Sequence, residues 1–151
     1  GSWTPHKLKL AVSGCPRNCA EATCKDIGVV CVDSGYEIHV GGAAGMEIKG
    51  TELLCKVATE GEAMEVISAM TQIYRENAKY LDRIYKWLAK VGLDWVKEQI
   101  VDDLENRRAL AARFELSQSV YRKDPLGGHE RDRSTRAQYA PLANLTLEAA
   151  E

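Results

Sequence analysis

The sequence has little net charge, no long apolar run and no secretion signal. Its 22 acidic and 20 basic side chains leave a formal charge of -2 over 151 residues. This balance gives no reason to expect binding to nucleic acid or to an anionic membrane surface. No apolar run approaches the about 20 residues that a membrane-spanning helix needs, and the first residues lack the apolar segment of a signal peptide. We therefore expect a soluble, cytoplasmic chain with neither nucleic acid nor a membrane as a partner.

The sequence also lacks the common catalytic motifs and a disulfide framework. Five cysteines are an odd number at irregular spacing, which argues against a secreted protein held together by disulfides. There is no serine-protease type of triad, H-E-x-x-H segment, phosphate-binding loop or pair of catalytic carboxylates. With 45% apolar and 28% charged residues, the composition is that of an ordinary globular domain. The cysteines are therefore the most specific indication of function.

Four segments in the first part of the chain have the apolar patterns of strands. In the first of them, alternation places Leu8, Leu10 and Val12 on one face. The second is a continuous apolar run, typical of a buried strand, and a D-S-G turn joins it to the third in a predicted hairpin. The four segments are residues 7–13, 27–33, 36–40 and 53–57.

The following residues have the spacing of amphipathic helices. Thr59 and Glu62 form a capping-box pattern that opens a helix. Apolar residues then recur three and four positions apart, which predicts one long helix or two helices broken near Asn77. Residues 93–101 and 102–121 continue the helical pattern, and their aromatic side chains are expected to belong to the core.

Together these patterns predict an α+β fold, in which a small, mostly antiparallel sheet is packed by the helices of the C-terminal half. The sheet region is predicted to span residues 1–58 and the helical half of the same domain residues 59–121. Residues 122–151 contain proline, glycine and a dense run of charges, and they are expected to form an irregular tail.

The segment S-G-C-P-R-N-C at residues 13–19 follows directly on the first strand. Pro16 suits the first position of a helix, so Cys15 and Cys19 are expected on one side of a helix N-terminus. Unpaired N–H groups and the helix dipole lower thiol pKa values at such a position and favour thiolates. The spacing therefore suits a metal ion or an iron–sulfur cluster, whereas the plainer alternative is two half-buried structural cysteines.

The C-P-R-N-C-A-E-A segment at residues 15–22, together with residues 26–30 and 35–42, resembles the second cluster-binding motif of the nitrite and sulfite reductases. The resemblance is strongest to the large subunits of assimilatory NAD(P)H-dependent nitrite reductases, and it implies their 4Fe-4S domain fold. It further implies a [4Fe-4S] cluster held by C-x5-C and C-x3-C, with Cys15 as the third ligand and Cys19 as the ligand that also bridges to a sirohaem iron. Because only fourteen residues precede Cys15, the first cysteine pair is absent, and the chain is expected to be the C-terminal piece of a longer enzyme.

The resemblance also implies what the longer enzyme does, namely reduce nitrite to ammonia with electrons that pass from NAD(P)H through FAD to the cluster and sirohaem. The implied partners are the upstream part of the same polypeptide and the small subunit of nitrite reductase. No catalytic residue is expected within this fragment. Since a [4Fe-4S] cluster needs four thiolates, the fragment alone is expected to bind no cofactor and to be inactive. Apolar surface left open by the missing part would favour self-association.

Four further positions are candidates for cofactor binding, Arg17 and Asn18 from their position beside the cysteines and Gly41 and Gly42 from the resemblance. Arg17 is expected to pair with a sirohaem carboxylate, the alternative being a solvated charge. Asn18 is expected to donate an N–H to a cluster sulfur. Gly41 and Gly42 begin a G-G-A-A-G loop that matches the loop beside the sirohaem in the resembled reductases, where Asn usually replaces Ala43. Taken alone, such a loop is more often a plain turn.

Two alternatives stay open from the sequence. The first, in the same class, is a fragment of a sulfite reductase. The second is a protein interaction domain, either free of metal or stabilised by zinc bound to Cys15, Cys19, Cys24 and Cys31. Ligand stoichiometry separates these alternatives, because a shared cluster protects two thiols, a zinc site protects four and a metal-free domain protects none. Cys55 is expected to be a core residue.

Overall fold

The computed structural model describes residues 3–122. The strands are β1 (Leu10–Ser13), β2 (Ile27–Val32), β3 (Gly35–Val40), β4 (Ala43–Ala44), β5 (Ile48–Lys49) and β6 (Glu52–Val57). The helices are α1 (Glu60–Asn77), α2 (Ile84–Val91), α3 (Leu93–Lys97) and α4 (Leu104–Arg122). A 3-10 turn at Ala22–Cys24 precedes β2, and a π-helical turn at Glu98–Asp102 follows α3.

The four longer strands form a mixed sheet in the order β1-β2-β3-β6. The pairs β2–β3 and β3–β6 are antiparallel, whereas β1 runs parallel to β2. Strands β4 and β5 make a separate two-stranded hairpin between β3 and β6. The predicted α+β fold with a small, mostly antiparallel sheet is therefore confirmed, as is the β2–β3 hairpin.

The core lies between one face of the sheet and the helices. Tyr74 of α1 and Trp87 of α2 pack edge to face, with ring centroids 5.7 Å apart. The Tyr74 hydroxyl donates a hydrogen bond of 2.5 Å to the Asp82 carbonyl, and burial raises the pKa of Tyr74 to about 12. The sheet contributes the buried side chains of Ile27, Val29, Ile38, Val40 and Leu54.

Strand β1 differs from its prediction in length and in burial. It begins at Leu10, and the side chains of Leu10 and Val12 are 56% and 62% exposed. Their register partners Ile27 and Val29 are core residues. Leu10 and Val12 therefore lie on one face of the sheet, as the alternation predicts, and this is the face that carries the core. The strand lies at the edge of the sheet, however, and the packed helices leave this edge open to solvent.

The sheet, helices α1 to α3 and the part of α4 up to Glu115 belong to one compact unit, which spans Trp3–Glu115. Helix α1 ends at Asn77 and α2 begins at Ile84, so the predicted break near Asn77 is confirmed. The domain boundaries after residues 58 and 121 stay a prediction. Except for its first residue, the predicted tail at 122–151 lies outside the described residues.

The capping box that the sequence predicts at the start of α1 is present, and it is a testable element of stability. The Thr59 hydroxyl accepts from the Glu62 N–H at 3.2 Å, and the Glu62 carboxylate accepts from the Thr59 N–H at 3.1 Å. Replacing Thr59 with Ala is expected to lower the free energy of unfolding by about 1 kcal/mol. Thr59→Ser keeps the hydroxyl and is the control. Urea unfolding measures both variants, and equal stability of Thr59→Ala and the wild type would contradict the expectation.

The same capping box makes part of this stability dependent on pH. The backbone N–H of Thr59, then its side chain, holds the pKa of Glu62 below its ordinary value. A carboxylate with a lowered folded-state pKa stabilises the fold above its unfolded-state pKa, and this stability is lost as the pH falls through the lowered value. The difference between Thr59→Ala and the wild type should therefore shrink in acid.

Candidate metal centre

The predicted ligands Cys15 and Cys19 lie in the loop of residues 14–26 that connects β1 to β2. The sequence predicts a helix that starts at Pro16, and this prediction is wrong, because residues 14–21 form turns and bends. Asn18 and Glu21 have φ values of 57° and 54°, and left-handed residues interrupt an α-helix. The argument that a helix dipole activates the two thiols therefore does not apply to this loop.

Asn18 holds the loop in shape through its side-chain amide. Its Oδ1 atom accepts from the Thr23 N–H at 3.2 Å and from the Ser13 hydroxyl at 3.5 Å. Its Nδ2 atom donates to the Thr23 hydroxyl at 2.6 Å, and its backbone N–H donates to the Cys15 carbonyl at 3.3 Å. The side chain predicted to donate to a cluster sulfur is thus bonded within the loop. Among residues other than glycine, Asn is enriched at positive φ.

The loop packs directly on the face of the sheet opposite the core. Ala22 is fully buried, and a Cβ atom added to Gly28 of β2 would lie 2.0 Å from the Ala22 carbonyl oxygen. The Thr51 N–H, just before β6, donates to the Thr23 carbonyl at 3.0 Å. The backbone of the loop is therefore held at two places against the sheet.

A buried ion pair ties the end of the loop to the helical half. Asp26 is fully buried. One oxygen of its carboxylate accepts a hydrogen bond from Arg83 Nε at 3.0 Å, and both oxygens accept from Arg83 Nη2 at 2.7 Å. The Lys9 N–H donates to the same carboxylate at 2.9 Å. Arg83 immediately precedes α2. The sequence gives no indication of this pair, because its two members lie 57 positions apart.

All five cysteines are free thiols in the structure. Cys15 is partly exposed and Cys19 is exposed, whereas Cys24 donates through its thiol to the Glu21 carbonyl at 3.1 Å. Cys55 lies in β6, and burial raises the pKa of its thiol. Across residues 3–122, no group of three or more His, Cys, Asp and Glu side chains is arranged to hold a metal ion. The four-cysteine series is not brought together, which argues against a self-contained zinc site.

Gly41 and Gly42 are buried and pack against the protein itself. Their N–H groups donate to the carbonyls of Asp26 and Lys25, each at 2.9 Å. A Cβ atom on Gly41, whose φ is 81°, would lie 2.7 Å from Leu88, and one on Gly42 would lie 2.5 Å from the Lys25 carbonyl. Glycine is therefore required at these two positions because other parts of the same protein, Leu88 and the Lys25 carbonyl, lie close to the backbone. A cofactor contact at these two residues stays a prediction.

A cavity of about 360 Å³ adjoins the exposed part of the same glycine-rich loop. Its lining contains more cationic than acidic side chains, namely Lys7, Arg83 and Lys86 against Glu47. Lys86 pairs with Glu47 at 3.7 Å, and Arg83 is held by Asp26 as described above. The remaining lining residues are His6, Ala43, Ala44, Gly45, Met46 and Tyr85. Such a cavity suits an anionic ligand better than a cationic one.

The family model of the nitrite and sulphite reductase 4Fe-4S domain matches residues 1–108. The chain belongs to this family. It is 46% identical over 132 residues to the nitrite reductase [NAD(P)H] of Bacillus subtilis, an alignment that covers 87% of this chain and 16% of the relative. It is 34% identical over 105 residues to the nitrite reductase (NADH) large subunit of Escherichia coli, with 68% of this chain and 12% of the relative covered. The predicted resemblance to NAD(P)H-dependent nitrite reductase large subunits is confirmed.

Similarity extends, at lower identity, to sulfite reductases. The assimilatory-type sulfite reductase of Nitratidesulfovibrio vulgaris is 29% identical over 97 residues, which are 64% of this chain and 44% of the relative. The chain thus spans less than half the length of each of these relatives. In the part of the chain that the structure describes, no helix is long and apolar enough to cross a bilayer.

Proposed function

We propose that the chain supplies two ligands, Cys15 and Cys19, to a [4Fe-4S] cluster linked to sirohaem in an NAD(P)H-dependent nitrite reductase. The observation that carries the proposal is a C-x3-C loop with accessible thiols and a backbone fixed against the sheet, in a chain of the nitrite and sulphite reductase family. Accessible thiols are the ligands that such clusters require. Cys19 is the more exposed of the two, which supports its assignment as the ligand shared with the sirohaem iron.

The residues of this chain position the ligands, while the cofactors supply electron transfer and bond breaking when they are bound. Asn18 and Ser13 hold the turn that presents the two thiols. Arg17 is exposed beside them and can form paired hydrogen bonds with a carboxylate of the macrocycle. Gly41 and Gly42 are kept as proposed cofactor-contact positions, and the cavity lined by Ala43, Ala44 and Gly45, which directly follow them, supports this proposal.

The relatives support a further proposal, that the chain is one piece of a longer enzyme. Its alignment to the Bacillus subtilis relative covers only 16% of that protein, and two thiols are half of a cluster's ligands. We therefore assign the other two ligands, and the FAD and NAD(P)H sites, to the upstream part of the same polypeptide. The same proposal includes the small subunit of nitrite reductase as a partner, self-association through the open β1 edge, and a cytoplasmic location.

Metal and cofactor analysis of the chain tests this proposal. The anaerobically purified chain is expected to be colourless, with neither iron and sulfide nor zinc at one atom per chain. Sirohaem bands with iron and sulfide would show that the chain completes the site by itself, which would contradict the proposal that it supplies only two of the four ligands. Zinc near one per chain would favour the four-cysteine site instead.

Substitutions in the longer enzyme test the individual ligands. Cys15→Ser and Cys19→Ser are each expected to abolish the cluster absorption, whereas Cys31→Ser, in strand β2, should leave it intact. Arg17→Ala is expected to lower the sirohaem content, with Arg17→Lys as the control that keeps the charge but not the planar fork. Unchanged sirohaem content in Arg17→Ala would refute its assignment. Rates with nitrite and with sulfite distinguish the two substrates.

A further inference from the structure

The cavity of about 360 Å³ beside the glycine-rich loop is formed where three segments of the domain meet. Residues 6–7 precede β1, residues 43–47 comprise β4 and the turn after it, and Arg83, Tyr85 and Lys86 lie at the start of α2. The fold thus brings together three cationic side chains that are far apart in sequence. None of the lining residues belongs to the cysteine loop.

Arg83 has hydrogen-bond donors to spare in this cavity. Its Nε and Nη2 atoms are bonded to the Asp26 carboxylate, at 3.0 Å and 2.7 Å. Within residues 3–122 its Nη1 atom has no hydrogen-bond partner, and solvent reaches this atom. A guanidinium Nη atom carries two N–H groups. Because the ion pair already fixes the planar group, Nη1 can bind a ligand with little further loss of side-chain freedom.

His6 and Lys7 supply donors from the segment before β1. Lys7 is exposed, and its ammonium group forms no ion pair in the part of the chain that the structure describes. The Nδ1 atom of His6 accepts from the Lys7 N–H at 2.8 Å. A ring nitrogen that accepts a hydrogen bond carries no hydrogen, so the neutral ring has its hydrogen on Nε2. His6 can therefore donate to a ligand without being charged.

Lys86 is held only by a weak pair. Its Nζ atom lies 3.7 Å from the Glu47 carboxylate, and the two side chains are 51% and 60% exposed. A pair of this kind contributes little to stability, so an anion that enters the cavity can replace Glu47 as the partner of Lys86. Helix α2 begins at Ile84 without a side-chain cap, and a helix N-terminus adds partial positive charge.

We propose that this cavity is an oxyanion site that takes one carboxylate or phosphate group. Even when Asp26 is counted together with Glu47, three cationic side chains face two carboxylates. The donors approach from the segment before β1 and from the start of α2, an arrangement that suits a group with several acceptor oxygens. The inference goes beyond the proposed function, because the chain should bind such a group with neither cluster nor sirohaem present.

A nuclear magnetic resonance titration of the 151-residue chain at constant ionic strength tests the inference, with inorganic phosphate and acetate as probes. The Tyr85 amide signal is expected to shift and to saturate with at least one probe. Lys7→Gln and Lys86→Gln should each weaken binding by about fivefold, whereas Glu47→Gln, which removes the opposing carboxylate, should strengthen it. Lys56→Gln is the matched control, because it removes one positive charge outside the cavity. All four side chains are exposed, so the variants should fold.

The two probes distinguish the possible sources of the group. Tighter binding of phosphate would support a free phosphate or a phosphate ester as the ligand, and tighter binding of acetate would support a carboxylate. Shifts that fail to saturate with either probe, or an affinity that Lys7→Gln and Lys86→Gln leave unchanged, would overturn the inference. Because the titration needs no cofactor, that result would leave the proposed function standing. Loss of the assignment of Cys15 and Cys19 would likewise leave the oxyanion site intact.

Discussion

Replacing Asp26 with Asn is expected to lower the free energy of unfolding by about 3 to 5 kcal/mol, the cost of breaking a buried ion pair on one side. Asn has nearly the same shape and can still accept from the Lys9 N–H, so the substitution chiefly removes the negative charge. The Arg83 guanidinium, whose side chain is 17% exposed, then keeps its charge without the carboxylate that neutralises it. Urea unfolding of the chain measures the loss.

A double-mutant cycle and an exposed pair provide the controls for Asp26→Asn. Arg83→Gln alone should also be strongly destabilising, because it leaves a fully buried carboxylate unpaired. The double variant should be less destabilised than the sum of the two, since neither charge remains. Glu21→Gln removes a surface ion pair of 2.9 Å with Lys25, and pairs of this kind contribute little. An Asp26→Asn variant as stable as Glu21→Gln would contradict the expectation.

The ion pair matters for the site because it fixes one end of the cysteine loop. Asp26 is the last residue of that loop, and its carbonyl also accepts from the Gly41 N–H. Through Arg83 the loop is anchored to the start of α2, and through Gly41 it is anchored to the glycine-rich loop. The helical half of the domain thus contributes to the position of the thiols although it contains none of the proposed ligands.

Local patterns were sufficient to predict the helices, the hairpin and the capping box. Thr59 and Glu62 are three positions apart, and the turn between β2 and β3 spans two residues, so short-range chemistry determines both. The helix predicted to start at Pro16 is not formed, because contacts beyond the local pattern determine the conformation there. The left-handed conformation of Asn18 is stabilised by Ser13 and Thr23, each five positions away, and helix-start rules do not include such partners.

The parts of the site that the sequence did not predict depend on contacts between distant segments. Asp26 and Arg83 are 57 positions apart, and nothing in either local pattern indicates that they meet. Gly28 is different, because an isolated glycine inside an apolar strand commonly indicates that another backbone segment approaches closely. That indication was present in the sequence, and the approaching segment is the cysteine loop itself.

Replacing Gly28 with Ala is expected to lower the free energy of unfolding by about 3 kcal/mol or more, at the upper end of the range for overpacking. The new Cβ atom would lie 2.0 Å from the Ala22 carbonyl oxygen and 2.6 Å from the Ala22 carbonyl carbon. Both are backbone atoms, so no flexible side chain can move aside. The strand is paired on both sides, with β1 and with β3, so the loop has to move instead.

Gly61→Ala is the matched control, because the same chemical change occurs where the added atom meets nothing within 4 Å. Gly61 lies in the first turn of α1, where alanine should stabilise the helix by up to about 1 kcal/mol.

Alkylation of Cys15 and Cys19 distinguishes loop displacement from general loss of stability. In Gly28→Ala, under conditions where the chain remains folded, both thiols should react faster than in the wild type, while Cys55 in strand β6 should react at an unchanged rate. If all three thiols accelerate together, the substitution has loosened the whole fold, and the loop is not the element that yields. If none accelerates and stability is unchanged, the contact between Ala22 and Gly28 does not position the loop.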